Sequence, residues 1–71
     1  EIDLEPKLSP EEAKQNVNQR LELLGHDLVV ITNDKNKRVL SYEFIGQLKK
    51  QRYKVYINAD TGREERVTEA S

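Results

Sequence analysis

The sequence predicts an α+β domain with one N-terminal helix packed on one face of a three- to four-stranded antiparallel meander sheet. Three observations predict this fold. Apolar residues recur at helical spacing before Gly25 and alternate with polar residues after it. The loops between the alternating segments are short, which favours antiparallel neighbours. The chain has 71 residues, of which 35% are hydrophobic and 35% charged, so it can form one small hydrophobic core.

The predicted helix covers residues 10–24. Ser9 is a favourable N-cap, Pro10 suits the first helical position, and Glu12 completes a capping box. Gly25 can adopt the left-handed conformation that ends a helix. An apolar stripe runs along one face of this helix and consists of Ala13, Val17, Leu21 and Leu24.

Three strands are predicted after the helix, and a fourth, short strand can follow them. Polar residues at 33–37 indicate a turn, and residues 47–51 indicate a basic loop. Gly62 occupies the left-handed position of a bulged turn. The strands are predicted at 27–32, 38–46, 52–58 and 63–67, the last of them short and charged.

One helix covers only one face of such a sheet. The predicted core consists of Val17, Leu21, Leu24, Leu40, Tyr42, Phe44, Tyr53, Val55 and Ile57, with alternate residues of 28–31. The other face carries the other two residues of that apolar run, so it is half apolar and uncovered. Because exposed apolar patches mark interfaces, we expect this face to bind a partner protein. The expected contact residues there are Ser41, Glu43, Lys54 and Tyr56. The alternative is contact through the edge strands by strand addition, and a second copy could associate by strand exchange through the 47–51 loop.

The expected organisation is a linker or lead-in at 1–8, one domain at 9–67 and a tail at 68–71. The acidic start without methionine predicts a piece of a longer protein, with any membrane anchor upstream. No segment reaches the roughly 18 apolar residues that span a bilayer, so we expect no membrane contact by this part.

The residues for catalysis and metal binding are scarce. The chain has no cysteine, and its one histidine, His26, is expected just past the helix end, where its charge suits the helix dipole. The acidic pairs are explained by helix capping and by an exposed strand. We therefore predict no enzyme, no cofactor and no metal site.

The charge pattern argues against nucleic acid as a partner. The net charge is −1, although seven bases lie between Lys35 and Lys54 against one acid, Glu43. In a meander these bases fall into two loops at opposite ends of the sheet. They do not form the continuous basic stripe of a nucleic-acid binder.

Two segments resemble the PepSY domain family: Ser9–Ala13 at the helix start, and Tyr53–Gly62 at the last long strand and its turn. Asn58 departs from the aspartate common in the family. The run from Leu40 to Glu65 is similar to the C-terminal repeat of a spore-germination protein of endospore-forming bacilli. The resemblance implies an extracytoplasmic module without catalytic residues, in the region of the spore inner membrane or cortex. It implies a SleB-like cortex-lytic hydrolase as partner.

Alternatives remain open from the sequence. The chain can be a regulatory module that stabilises, localises or restrains the hydrolase. It can be a structural docking or dimerisation repeat that contacts sibling repeats or a second copy. It can also be an inhibitory module of the kind found in propeptides of secreted metallopeptidases. An enzyme acting on peptidoglycan would need an acid pair in a cleft.

Overall fold

A computed structural model describes residues 5–70 of the chain. These residues form one short helix and a four-stranded antiparallel sheet whose strands lie in the order β1-β2-β3-β4. Each strand therefore pairs with the next one along the chain, and β1 and β4 are the two edges. The elements are α1 (Pro10–Lys14), β1 (Glu22–Thr32), β2 (Arg38–Leu48), β3 (Gln51–Asn58) and β4 (Glu64–Ala70).

The prediction of a long N-terminal helix is wrong. The fold is mostly sheet, and α1 has only five residues. Its start is as expected: the Glu12 backbone N–H donates to Ser9 Oγ at 3.2 Å. In return, the Ser9 N–H donates to Glu12 Oε1 at 3.0 Å, which completes the capping box. The helix begins where the sequence predicts and ends ten residues early, at Lys14 instead of residue 24.

Two asparagines account for the early end of α1. Asn16 Nδ2 donates to the backbone carbonyl of Gly62 at 2.9 Å, which fixes this segment to the turn before β4. Asn18 Oδ1 accepts from the Arg20 N–H at 2.9 Å, a local turn. The Asn18 side chain thus takes a backbone N–H that a continued helix would use. The chain turns at 15–20 and enters β1 at Glu22.

The predicted helix end at Gly25 lies inside β1. The ladder with β2 shifts register between Leu23 and Gly25, so a bulge at Leu24 stands in place of a helix cap. Leu24 is 48% exposed and does not belong to the core. His26 is likewise not at a helix end: it lies in β1 opposite Phe44.

The turns after β1 largely follow the sequence. Asn33 Oδ1 accepts from the N–H groups of Lys35 and Lys37, each at 3.0 Å, in the polar turn before β2. The predicted loop at 47–51 is shorter than expected, because β2 and β3 extend into it. Gly62 has a φ of 79°, the left-handed value that its turn requires.

The core lies between the α1 side of the sheet and the 8–21 segment. Leu21 and Leu23 pack against it and are partly buried. Of the predicted core, Leu24 is exposed and Tyr53 is half-buried. The buried apolar residues are Ala13, Val17, Leu40, Tyr42, Phe44, Val55, Ile57 and Ala59.

The core does not extend to β1. Leu28 lies opposite Tyr42 and Val30 opposite Leu40, so both residues are on the helix side of the sheet. They are nevertheless 39% and 43% exposed, because the short α1 packs over β2 and β3. The expectation that alternate residues of 28–31 complete the core is therefore wrong for these two.

Candidate protein-binding surfaces

The face of the sheet opposite α1, called the open face below, carries a row of polar residues that crosses all four strands. Asp27 of β1 lies opposite Glu43 of β2. Glu43 lies opposite Tyr56 of β3, and Tyr56 lies opposite Arg66 of β4. Directly opposed residues on one face are close enough to interact. The row therefore presents two acids, a phenol and a guanidinium in sequence across the sheet.

Tyr56 and Glu43 form the hydrogen bond at the centre of this row. The Tyr56 hydroxyl donates to Glu43 Oε2 at 2.8 Å. Burial raises the pKa of Tyr56, and the hydrogen bond and negative charge of Glu43 raise it further, while Arg66 opposes the shift. The carboxylate favours the neutral phenol because ionisation of Tyr56 would place two negative charges side by side. The pair is a half-buried feature held by two central strands.

The other two predicted contact residues differ in their access to solvent. Lys54 is half-buried on the open face opposite Ile45. Ser41 is on the same face opposite Asn58 but is fully buried at 0% exposure. Its Oγ has no hydrogen-bond partner among the described residues. Ser41 therefore offers no accessible surface in this structure.

Part of the open face is covered by the sheet itself. Arg66 Nη2 donates to the backbone carbonyl of Thr32 at 2.7 Å, from one edge strand to the other. Since β2 and β3 lie between these strands, the sheet must curl toward the open face at this end. Ser41 lies on this face, opposite Val29 and Asn58, and is fully buried. The open face is therefore less exposed than its sequence pattern predicts.

The exposed apolar side chains lie elsewhere than expected. Leu28 and Val30 of β1 and Val67 of β4 are on the helix side of the sheet, opposite core residues. The expectation of an uncovered apolar patch on the open face is therefore corrected: the patch lies at the edges of the helix side. The exposed large apolar residues among residues 5–70 are Leu24, Leu28, Val30, Leu48 and Val67.

A shallow groove of about 240 Å³ separates α1 from the start of β1. His26 is at its rim, and its ring centroid lies 5.8 Å from that of Phe44 and 6.4 Å from that of Tyr42. Such ring contacts are those of a packed aromatic residue. Within the described part of the chain, no group of three or more His, Cys, Asp or Glu side chains could hold a metal ion. The groove is lined by Pro10, Glu11, Lys14, Leu23, Leu24, Gly25, His26 and Phe44.

Sequence reasoning missed Arg66 and Asp27 as members of the polar row, and Leu28 and Val30 as exposed residues. The alternation within β4 could have placed Arg66 on the same face as Tyr56. Only the length of α1 determines whether Leu28 and Val30 are covered, and the apolar spacing misrepresents that length. No helix in the part of the chain that is described is long and apolar enough to cross a membrane.

Comparisons with known proteins agree with this fold. The family model described as PepSY, peptidase propeptide and YPEB domain, matches residues 7–68. The chain is 43% identical over 63 residues to the sporulation protein YpeB of Halalkalibacterium halodurans. It is 36% identical over 62 residues to sporulation protein YpeB of Bacillus subtilis. These matches cover 89% and 87% of this chain and 14% of each relative.

A solved structure is also similar. The Bacillus megaterium YpeB C-terminal domain is 44% identical to this chain and superimposes with a TM-score of 0.92. The alignment covers 100% of this chain and 31% of that chain. The chain thus corresponds to about a third of the solved domain and to 14% of the curated relatives.

Proposed function

The chain belongs to the PepSY family, and on that premise we propose that it is a non-catalytic, protein-binding regulatory module of a spore-germination protein. The observation that carries the proposal is the 44% identity and TM-score of 0.92 with the YpeB C-terminal domain. The partner in this proposal is a cortex-lytic cell-wall hydrolase that the module stabilises, localises or restrains. The module acts outside the cytoplasm, in the region of the spore inner membrane or cortex.

The chemistry of the side chains supports a non-catalytic role. The sequence has no cysteine, and its single histidine packs against aromatic rings. Glu12 is engaged in the helix cap, and Glu43 accepts from a tyrosine. Catalysis by carboxylates needs a pair held in a cleft with one pKa raised. Glu12 and Glu43 instead form hydrogen bonds that stabilise the fold.

The surface that we assign to the hydrolase is the exposed part of the open face, around Glu43, Lys54 and Tyr56. These three residues are half-buried, so each retains an accessible part on a rigid two-strand support. Tyrosine is enriched at interfaces because it offers an apolar ring and a polar tip. The neighbouring acid and base fix the orientation of a partner more than they add affinity. Ser41 contributes packing beneath this surface and no direct contact.

Binding of a purified cortex-lytic hydrolase, measured by isothermal titration calorimetry, tests this proposal. We expect Lys54→Glu and Tyr56→Ser to weaken binding by about tenfold or more, as central interface residues do. Lys50→Glu is the matched control, because it makes the same charge change in the exposed β2–β3 turn. The control should bind like the wild type.

Two outcomes would contradict the proposal. If the wild-type chain does not bind the hydrolase, the proposed partner is wrong. If Lys50→Glu weakens binding as much as Lys54→Glu, net charge and not the open face determines the interaction. Circular dichroism of each variant separates lost binding from lost folding, because the sheet accounts for most of the regular structure.

A further inference from the structure

The two edge strands of the sheet differ in how they are protected from pairing with another strand. β4 has seven residues and carries Glu64, Arg66 and Glu69 among others, the charged pattern that discourages pairing. β1 has 11 residues, and its centre, Leu28-Val29-Val30-Ile31, has no charge. Two side chains already bond backbone groups near this centre: Asp27 Oδ1 accepts from the Leu28 N–H at 2.9 Å, and Arg66 Nη2 donates to the Thr32 carbonyl at 2.7 Å. Neither bond involves the backbone of Val30, and a long apolar edge strand of this kind can accept another strand.

The side chains at the centre of β1 are also exposed. Leu28 and Val30 are on the helix side and are 39% and 43% exposed. Val29 and Ile31 are on the open face and are half-buried. In the described part of the chain α1 contacts β2 and β3, so it leaves this side of β1 bare. A strand added to β1 would cover both faces of this apolar segment.

The charges at the two ends of β1 have opposite signs. The first half of the strand carries Glu22 and Asp27, which is two negative charges. The adjoining segment 33–38 carries three bases against Asp34, a net charge of +2. An antiparallel copy of the same strand places the acidic half of each chain against the basic end of the other. The edge is therefore electrostatically complementary to itself.

From these observations we propose that β1 pairs in antiparallel orientation with β1 of a second copy of this chain. A two-fold axis near Val29 places Leu28 opposite Val30 of the second copy and pairs residues 28–30 of both chains. The Leu28 N–H then exchanges its bond to Asp27 for one to the Val30 carbonyl of the second copy. The exposed apolar residues then cover each other on the helix side. On the N-terminal side of the paired residues, the bulge at Leu24 interrupts the regular geometry of β1. The two sheets become one continuous antiparallel sheet.

The second copy fits better than an unrelated peptide because of the symmetry. A two-fold contact requires a surface that complements itself. The centre of β1 is apolar in both copies, and the charges reverse sign from one end to the other. An unrelated strand would need to supply the same pattern in reverse.

Sedimentation equilibrium of the 71-residue chain, from about 10 µM to about 1 mM, tests the pairing, since a short strand interface gives weak affinity. We expect a monomer–dimer equilibrium in this range. Val30→Lys should raise the dissociation constant by about tenfold or more, because a lysine at an edge opposes strand pairing. Val67→Lys is the matched control: Val67 is a valine on the same face at the other edge, 48% exposed. Its dissociation constant should equal that of the wild type.

Cysteine cross-linking tests the position of the axis without disturbing the apolar patch. The sequence has no cysteine, so Val29→Cys introduces a single thiol. Directly opposed residues of an antiparallel pair have Cα atoms roughly 4.5–5.5 Å apart, within disulfide range. Under mild oxidation we expect Val29→Cys to form a covalent dimer much faster than Val67→Cys.

Three outcomes would overturn the proposal. One is a wild-type chain that stays monomeric at about 1 mM. Another is a dimer that Val67→Lys disrupts and Val30→Lys does not, which would assign the contact to β4. The third is equal cross-linking of the two cysteine variants, which would reflect random collision. None of these outcomes bears on hydrolase binding, which we assign to the open face.

Discussion

Arg66 of β4 and Thr32 of β1 are joined by a hydrogen bond of 2.7 Å, although two strands separate them in the sheet. The guanidinium reaches the Thr32 carbonyl because the sheet curls toward the open face. The contact ties the two edge strands together. It also places a positive charge beside Tyr56.

Arg66→Ala tests this link. We expect the free energy of unfolding to fall by about 0.5–1.5 kcal/mol, the net value of one hydrogen bond, measured by urea denaturation. Loss of the positive charge should also raise the pKa of Tyr56 further, because Arg66 at present lowers it. Arg63→Ala is the control, since it removes an exposed arginine from the turn before β4. Equal losses for both variants would contradict a specific role for Arg66.

Ser41→Ala should increase stability. The Ser41 hydroxyl is fully buried and has no hydrogen-bond partner among residues 5–70. Its removal relieves an unsatisfied polar group, so we expect the free energy of unfolding to rise by up to about 1 kcal/mol. Ser9→Ala is the contrasting variant, because it removes the helix cap and should cost about 1 kcal/mol. A loss of stability in Ser41→Ala, measured by thermal unfolding, would indicate that the hydroxyl is satisfied.

Asn58→Asp introduces the aspartate common in the resembled family. Asn58 Nδ2 donates to Glu65 Oε2 at 2.9 Å, while its Oδ1 accepts from the N–H groups of Asp60 and Thr61. Aspartate keeps the two accepted bonds but replaces the donor with a second carboxylate. We expect a loss of about 1–3 kcal/mol at pH 7, measured by urea denaturation.

The loss in Asn58→Asp should shrink as the pH falls toward about 4, because a proton on either carboxyl restores a donor. The double variant Asn58→Asp, Glu65→Gln is the control. Its glutamine amide donates to the aspartate and should recover most of the stability at pH 7. If the double variant is no more stable than the single one, the Asn58–Glu65 contact does not determine the effect.

Much of the sheet can be predicted from the sequence. The alternation around Tyr42 and Val55 is a local property, and it gives the strands and the face of each side chain. The left-handed glycine at position 62 and the capping box at Ser9 are equally local, and the structure contains both. Local signals of this kind are preserved because they agree with the tertiary structure.

The length of α1 could not be predicted in the same way. The spacing of Val17, Leu21 and Leu24 fits a helix, yet Asn16 bonds to Gly62, 46 residues away. No local pattern contains such a contact, and it fixes the chain after Lys14 to the turn before β4. Because the helix was predicted too long, it was expected to cover Leu28 and Val30, which are exposed. The polar row was found only in part: the alternation within β4 places Arg66 on the face of Tyr56, but its hydrogen bond to Thr32, 34 residues away, is not a local property.

Gly62→Ala tests the turn that holds the end of α1. Gly62 has a φ of 79°, and a Cβ there would lie 2.7 Å from Asn16 Nδ2. We expect a loss of about 2 kcal/mol or more, from backbone strain and from displacement of Asn16. Gly25→Ala is the control because nothing lies within 4 Å of a Cβ at that position. It should change stability by less than about 0.5 kcal/mol in urea denaturation. Similar losses in both variants would contradict the special role of Gly62.

Stability at alkaline pH should depend on Tyr42 and Tyr56. Burial raises the pKa of Tyr42 above 10.0, and nearby glutamates add to the shift. The pKa of Tyr56 is also raised, by burial and by Glu43. The unfolded chain loses these protons near pH 10.0, while the folded chain retains them. Their contribution to stability is therefore complete below that pH and is lost as the pH rises through the pKa values of the folded chain.

We expect the free energy of unfolding to fall above about pH 10, and to fall less steeply in Tyr42→Phe. At pH 7 the same variant should be about 1 kcal/mol less stable, because the Tyr42 hydroxyl donates to the Leu8 carbonyl at 2.8 Å. Urea denaturation from pH 7 to about pH 11 measures both effects. An alkaline slope equal to that of the wild type would mean that Tyr42 titrates alike in the folded and unfolded chains.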